Sequence, residues 1–360
     1  MGPVLTQSGL GTAARAHYSC LISAGFNVSC IPILDGHESH PVVDFEFKNY
    51  EFEENENITL IIYQNHHAFH GFIEKYADIF FLKNIVKRIA FWVWELSEFQ
   101  EQWLIHIKYL DEIWVPSEFV KNSLKKMIHL PIRVIPYSID VSSFSDTSFR
   151  EEFFIKKNNF VFGYIFDASS YVERKNPIAL INAFSKLVSI DRNIHLILKI
   201  SHIEHFYLYL EENKVNIENI ENIHLLSTNL THKEILGFLM EIDCYVSPHR
   251  SEGFGLTIAE ALSLGKIVIA TNYSGPVDFL NAHTGFPVNF VLKKISTTLG
   301  PYLEGNEWAD ISDTNLIDTM KFVFTNKKDA DFKSSYAKEK VKNTLSNNNI
   351  ATLIKKTLHT

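Results

Sequence analysis

The 360-residue chain has only three cysteines, Cys20, Cys30 and Cys244, far apart and without a Cys-x-x-Cys pair. A disulfide framework and a cysteine-built zinc site are therefore not expected, and a reducing compartment is. No apolar run reaches the ~20 residues of a membrane span. No basic region followed by an apolar stretch opens the chain, so no secretory signal is expected. Basic charge is also short, at 34 Lys and Arg against 42 Asp and Glu, a net charge of −8. That balance argues against a dedicated nucleic-acid binder. Residues 1–155 carry 12 basic and 20 acidic side chains and the remainder 22 of each, which places the acidic excess in the first half. With 15 glycines and 11 prolines there is no collagen-like or low-complexity tract.

Apolar residues make up 46% and charged residues 21% of the chain, ordinary for a globular protein whose length suits two domains. Short apolar runs alternate with helical patterns, which points to α/β architecture with parallel sheets. In the first half, strands are predicted at 27–33, 58–63, 88–93, 112–115 and 132–135. Helices are predicted near 12–24, 98–109 and 117–127, the last capped by Ser117. The acidic stretch 36–57 reads as an exposed excursion. Only residues 1–5 precede the first glycine turn, so the first strand is expected to be very short. In the second half, strands are predicted at 160–166, 194–200, 223–226, 244–247 and 267–270. The helices between them include one opening at Pro177, one opened by a Thr231/Glu234 capping box and one stopping at Gly265. Residues 136–157 read as the linker. The expected domains are 1–150, 151–335 and a basic helical tail 336–360 packing back across the hinge.

The chemistry concentrates in Ser247-Pro248-His249-Arg250-Ser251-Glu252-Gly253-Phe254-Gly255-Leu256 and the helix beyond. A strand ends, two glycines turn the chain, and a helix begins whose N-terminal N–H groups and dipole favour an anion such as a diphosphate. Glu252 lies at the strand's carboxyl end, where open α/β sheets bind ligands, and Glu260 follows in the helix. Both can border one pocket. A second cluster, Arg174-Lys175-Asn176-Pro177, follows strand 160–166 at the same sheet edge. Two cations there would neutralise a departing diphosphate; the plainer alternative is a solvated charged loop.

The segment 247–265 resembles the signature of retaining glycosyltransferases of the GT-B fold, especially glycosyltransferase family 4. Residues 266–278 (KIVIATNYSGPVD), 111–119 (DEIWVPSEF) and 134–140 (VIPYSID) are also similar to that family. The resemblance is strongest over 223–288. It implies two Rossmann-like doubly wound domains facing across a cleft, with sugar transfer from a nucleotide-diphosphate donor to an acceptor hydroxyl and with retention of configuration. Glu252, Lys175 and Arg174 would be the catalytic groups. Glu252 would contact the transferred sugar and Glu260 the ribose. Backbone N–H groups from Gly253 through Phe254 and Gly255 to Leu256 would hold sugar and phosphate oxygens, with Gly11 facing the diphosphate from the other domain. Lys175 matches the family's basic residue. A second family Arg, about six positions earlier, is Ser169 here; whether Arg174 takes over its role is left open by the sequence.

No metal or other cofactor is expected, because the two cations and the helix dipole stand in for one. Single-face displacement and a covalent intermediate both remain open. The resemblance extends to bacterial surface polysaccharide assembly, with GDP-mannose as one donor. The acceptor would be a carbohydrate or a lipid-linked carbohydrate, met by a cytoplasmic enzyme in peripheral contact with the inner face of the membrane. Lys121, Lys125 and Lys126 on one helix offer such a contact, or simply a solvated face.

Other patterns carry competing readings. Ser8-Gly9-Leu10-Gly11-Thr12-Ala13-Ala14 fits the dinucleotide Gly-x-Gly-x-x-Ala fingerprint, with Asp35 ending the next strand, so an NAD-dependent oxidoreductase is an alternative. A catalytically silent sugar-nucleotide binder is another. The 247–265 segment has no role in a dehydrogenase, which favours the transferase. His66, His67 and His70 invite a metal site, but lack a completing carboxylate; His66 is assigned to the acceptor side. Glu95, after Trp92-Val93-Trp94, joins it there, in a region where the family often has a histidine that this chain lacks; the alternative is a core-anchoring aromatic pair with an exposed Glu. Asp329 and Asp331 form a DxD on a predicted lysine-rich helix and read as surface.

Overall fold

A computed structural model describes residues 1–33, 42–51 and 56–359. Asp35 and much of the expected excursion 36–57 lie outside the described residues. The chain divides into two compact units, Met1–Ile139 with Leu345–Thr360, and Asp140–Thr344.

The first unit opens on helix α1 (Gly9–Ser23), which Ser8 caps by accepting the Gly11 N–H at 3.0 Å. Strands β1 (Ile58–Ile62), β2 (Ile85–Phe91), β3 (Glu112–Val115) and β4 (Ile132–Val134) form a parallel sheet in that order. Helix α2 (Glu118–Leu124) lies between β3 and β4 and is capped by Ser117 as expected. The predicted strand 27–33 is reduced to isolated bridges, Gly2 with Pro32 and Cys30 with Asn49. Met1 and Gly2 run between Ile61–Tyr63 and Ile31–Ile33, and Pro32 has no N–H to extend the ladder. The predicted helix 98–109 is instead a 3₁₀ segment, Glu101–Tyr109. Trp103, His106 and Tyr109 recur every third residue, so three residues per turn put all three rings on one edge. They meet His66, His70 and Phe80 respectively. The last helix, Asn347–Leu358, packs on α1.

The second unit is a doubly wound domain. Its elements are β5 (Phe160–Asp167), α3 (Pro177–Val188), β6 (Ile194–Ser201), α4 (Ile203–Glu212), β7 (Ile223–Leu226), α5 (His232–Glu241), β8 (Cys244–Ser247), α6 (Leu256–Leu264), β9 (Ile267–Thr271), β10 (Phe286–Val288), β11 (Phe290–Lys294), β12 (Glu307–Ile311), α7 (Asp313–Thr325) and α8 (Lys327–Thr344). The parallel sheet has the order β10-β9-β8-β5-β6-β7. Its central strands are apolar and buried along almost their whole length, because helices cover both faces. The winding reverses between β5 and β8. The loops leaving those two strands therefore diverge and open a crevice at their carboxyl ends, the ligand position of such sheets.

Two further features differ from the sequence reading. Strands β11 and β12 form a separate antiparallel ribbon that no periodicity announced. The expected boundary at 335/336 falls inside α8, which runs unbroken to Thr344; the chain then rejoins the first unit at Leu345.

Candidate active site

Both expected clusters sit at the β5/β8 crevice. After β5 the chain forms one helical turn, Val172–Lys175, closed by Asn176 in the left-handed region (φ 55°) ahead of Pro177. Pro177 cannot continue the earlier turn, and Asn tolerates that backbone region. The Asn176 amide donates to Pro248 O at 3.1 Å, and Tyr164 OH donates to Lys175 O at 2.9 Å. The turn is thus tied to the loop that follows β8.

That loop carries Glu252. Lys175 Nζ lies 2.6 Å and Arg174 Nη1 3.3 Å from Glu252 Oε1. Arg174 is 2% exposed and also donates to Ser251 O (2.8 Å) and Ser170 Oγ (2.7 Å). Burial pushes the Glu252 carboxyl up, but Lys175 and Arg174, aided by His249, outweigh burial and bring it down to about 2. The carboxylate is therefore ionised throughout the physiological range. His249 is fully buried, and burial lowers it to about 4, so it is neutral. It pairs with Ser247 Oγ (3.0 Å) and Tyr273 O (3.3 Å).

The 273–276 segment presses against the Glu252 loop. Ser274 Oγ accepts the Glu252 N–H at 2.8 Å, and Gly275 N–H donates to Glu252 O at 2.9 Å. A Cβ on Gly275 would stand 2.3 Å from Gly253 O, so only glycine permits this approach. Ser274 holds φ 65° and ψ −151°, a region almost reserved for glycine. Gly255 (φ 86°) turns the chain into α6, whose first residue is Leu256. Phe254 is buried against Phe279, with ring centroids 5.2 Å apart. Glu260 is buried on α6 and its Oε1 meets His232 Nε2 at 2.7 Å.

Residues that the sequence reading did not single out surround this core. Arg250 is buried and pairs with Glu173 and Asp310. Its guanidinium lies 5.4 Å from the Trp308 ring centroid, and that of Arg174 5.9 Å from the Tyr302 centroid. A cleft of about 630 Å³ lies on the outer side of the turn, bordered by Ser169, Glu173, Tyr209, Lys293 and Trp308 among others. The signal for Arg250 was its place two residues before Glu252; its partners are far away in sequence.

The remaining candidates belong to the first unit. Gly11 is the third residue of α1, its N–H taken by Ser8. His66 and Glu95 follow β1 and β2, at the carboxyl edge of that sheet. His66 is 3% exposed, stacked on Trp103 at 4.0 Å and edge-on to Phe99 and Trp94. Burial, then His67, holds it well below the ordinary histidine range, against a backbone hydrogen bond with Val93 that acts on its ring and raises its pKa. Glu95 acts on the neighbouring His67, whose pKa it raises against a larger lowering by burial. The three histidines do not share one site: His66 and His67 lie edge to face at 5.4 Å, while His70 stacks on His106 and pairs with Glu74 at 3.3 Å. Among the described residues no three His, Cys, Asp or Glu side chains converge on a metal position, and no helix is long and apolar enough to cross a membrane. Asp331 pairs with Lys327 on the exposed face of α8.

Comparisons with known proteins bear on the family pattern and the fold. Residues 146–291 match the model of the glycosyl transferases group 1 family. The chain is 31% identical over 138 residues to the capsular polysaccharide biosynthesis glycosyltransferase CapM of Staphylococcus aureus, covering 36% of this chain and 33% of that protein. It is 27% identical over 200 residues to a glycosyltransferase of Methanocaldococcus jannaschii, covering 55% and 48%. The matches thus span half or less of these relatives. Among solved structures, Anabaena HepE in complex with UDP and glucose superposes with a TM-score of 0.58 at 16% identity, covering 76% of this chain and 71% of that one. The pneumococcal O-GlcNAc transferase GtfA in complex with UDP and GlcNAc gives 0.59 at 13%, covering 85% and 57%. The chain therefore has the GT-B fold, and its second unit carries the group 1 glycosyltransferase pattern over residues 146–291.

Proposed function

We propose that the chain is a glycosyltransferase that moves a sugar from a nucleotide-diphosphate donor to an acceptor hydroxyl, with retention at the anomeric carbon. The observation that carries this reading is the Glu252 carboxylate, held ionised by Lys175 and Arg174 at the crevice mouth beside the start of α6. Departure of a nucleoside diphosphate builds negative charge on the leaving phosphate and positive charge on the sugar ring. Lys175, Arg174 and the N-terminal N–H groups of α6 meet the first; Glu252 meets the second. Glu260 is assigned to the donor ribose. With Lys175 and Arg174 next to the leaving group, the departing phosphate oxygen can take the acceptor proton on the same face of the sugar. These fixed positive charges serve the leaving group without a divalent cation.

On the acceptor side we assign His66 and Glu95, in the first unit. A buried histidine held neutral has a donor and an acceptor nitrogen to offer a sugar hydroxyl. The Staphylococcus relative is named for capsular polysaccharide biosynthesis, which supports a polysaccharide acceptor; lipid linkage of that acceptor and a place at the inner membrane face are part of this reading. The UDP complexes of the structural neighbours make UDP-sugars the first donors to try, with GDP-mannose next.

A thermal-shift screen with UDP, GDP, ADP and their sugars tests the reading. A donor at a hundredfold excess over its Kd should stabilise the protein by ~2.7 kcal/mol. Sugar release or transfer from that donor should follow. Failure of every nucleotide to stabilise the folded protein would overturn it.

A further inference from the structure

Arg250 joins three segments of the second unit. Its Nη1 donates to Glu173 O (2.7 Å) and Glu173 Oε1 (2.5 Å). Its Nε and Nη2 donate to Asp310 Oδ1 at 3.3 and 3.1 Å. Its own N–H donates to Arg174 O at 2.7 Å, and its carbonyl accepts the Ala309 N–H at 3.0 Å. The other Glu173 oxygen accepts Tyr209 OH at 2.5 Å. The Trp308 ring lies beside the guanidinium. One buried side chain thus ties the 172–175 turn, the loop bearing Glu252 and strand β12 of the ribbon.

Two consequences follow from the chemistry. The guanidinium's charge is met by two carboxylates and its donors point at Glu173 and Asp310, so Arg250 is not placed to hold a phosphate. Glu173 sits immediately before Arg174 and Lys175 on a single helical turn. Holding its backbone carbonyl and its carboxylate together sets the direction from which those cations reach Glu252. One guanidinium nitrogen, Nη1, holds the carbonyl and Oε1 oxygens of Glu173 while the opposite edge, Nε and Nη2, reaches Asp310; a single ammonium does not span the two partners in that fixed planar geometry.

We infer that Arg250, clamped between Glu173 and Asp310, is a positioning residue that sets Lys175 and Arg174 for the donor's diphosphate, with the β11–β12 ribbon as its anchor. The functional half of this inference rests on the nucleotide-sugar reading above; the clamp itself does not.

The test has two arms, both on the full chain. In the first, amide hydrogen exchange is followed for wild type, Arg250→Met, Arg250→Lys and Asp310→Asn. Exchange at 171–176 and 307–311 should rise at least tenfold in Arg250→Met and less in the other two, with β5 and β6 unchanged. Unchanged protection at 171–176 in folded Arg250→Met overturns the clamp, and so does loss of protection across the whole unit. In the second arm, calorimetry gives the affinity of UDP against UMP and of GDP against GMP. The diphosphate's advantage over the monophosphate should shrink about tenfold in Arg250→Met, while monophosphate affinity holds. Arg250→Lys should restore only part of it. A ratio equal to that of wild type, or equal losses for both nucleotides, overturns the positioning role. If wild type binds none of the four nucleotides, the nucleotide-sugar reading falls, and the exchange arm still decides the clamp.

Discussion

Lys175 Nζ and Glu252 Oε1 lie 2.6 Å apart although 77 positions separate them in sequence. The turn after β5 supplies the cation and the loop after β8 the carboxylate, and the sheet makes those strands neighbours. The pair's two members have separable roles. Glu252→Gln keeps the size but removes the charge that the proposed function sets against the sugar, so kcat should fall by ~10²–10³. Free nucleoside diphosphate should bind as well or better, since Lys175 and Arg174 lose their anionic partner. Lys175→Ala should weaken both nucleotide affinity and turnover. Calorimetric affinity and initial rate for each variant decide this. A folded Glu252→Gln that no longer binds nucleotide, beside an unaffected Lys175→Ala, would reverse the assignment.

The same pair gives a pH signature. The folded pKa of Glu252, about 2, lies below its ordinary 4.5. Its ionised form thus contributes stability that is fully present above about pH 4.5 and is lost as pH falls towards 2. The shift corresponds to about 3 kcal/mol. Urea melts of wild type and Glu252→Gln should show a stability gap that is constant from pH 7 to 5 and narrows below. A gap that stays flat or widens on acidification would contradict the ion pair.

Transfer should survive chelation. On the proposed reading, Lys175, Arg174 and the α6 N-terminus supply fixed positive charge at the leaving group. The rate in excess EDTA should match the untreated rate within about twofold. Abolition by EDTA with recovery on adding manganese would show that these cations do not suffice.

Ser274 combines backbone strain with a hydrogen bond to the Glu252 N–H. Ser274→Ala removes the bond and keeps the strain; Ser274→Gly removes both. Urea unfolding should therefore find the alanine variant less stable than the glycine variant by about 1–2 kcal/mol. Equal stabilities, or the reverse order, would mean that the strain is not stored there.

Much of the second unit was legible in the sequence because its signals are local. The Thr231/Glu234 capping box forms as read, with both reciprocal bonds. Gly265 ends α6 in the left-handed region (φ 81°), as its place after Leu264 suggests. The apolar runs of β5, β6, β8 and β9 announce a sheet buried on both faces, and Glu252, Gly253 and Gly255 announce the turn into α6. Those features depend on a few consecutive residues and on elementary backbone sterics.

What the tertiary structure alone decided depends on strand order. Nothing near Arg250 in the chain points to Asp310, 60 positions on, or to Glu173, 77 positions back. Nothing near Ser274 indicates that its hydroxyl meets the Glu252 N–H. In the β11–β12 ribbon, β11 is mostly exposed and β12 mostly buried, and neither alternates cleanly along its length. The 3₁₀ form of 101–109 is set by rings from three other segments. Periodicity reports which face of an element is apolar. It does not report which other element that face, or one charged side chain on it, will meet. By itself the sequence determined the elements of the doubly wound unit and the chemistry at two of its loops. The folded sheet, by placing β5 beside β8, decided that those loops form one site and that Arg250 holds it.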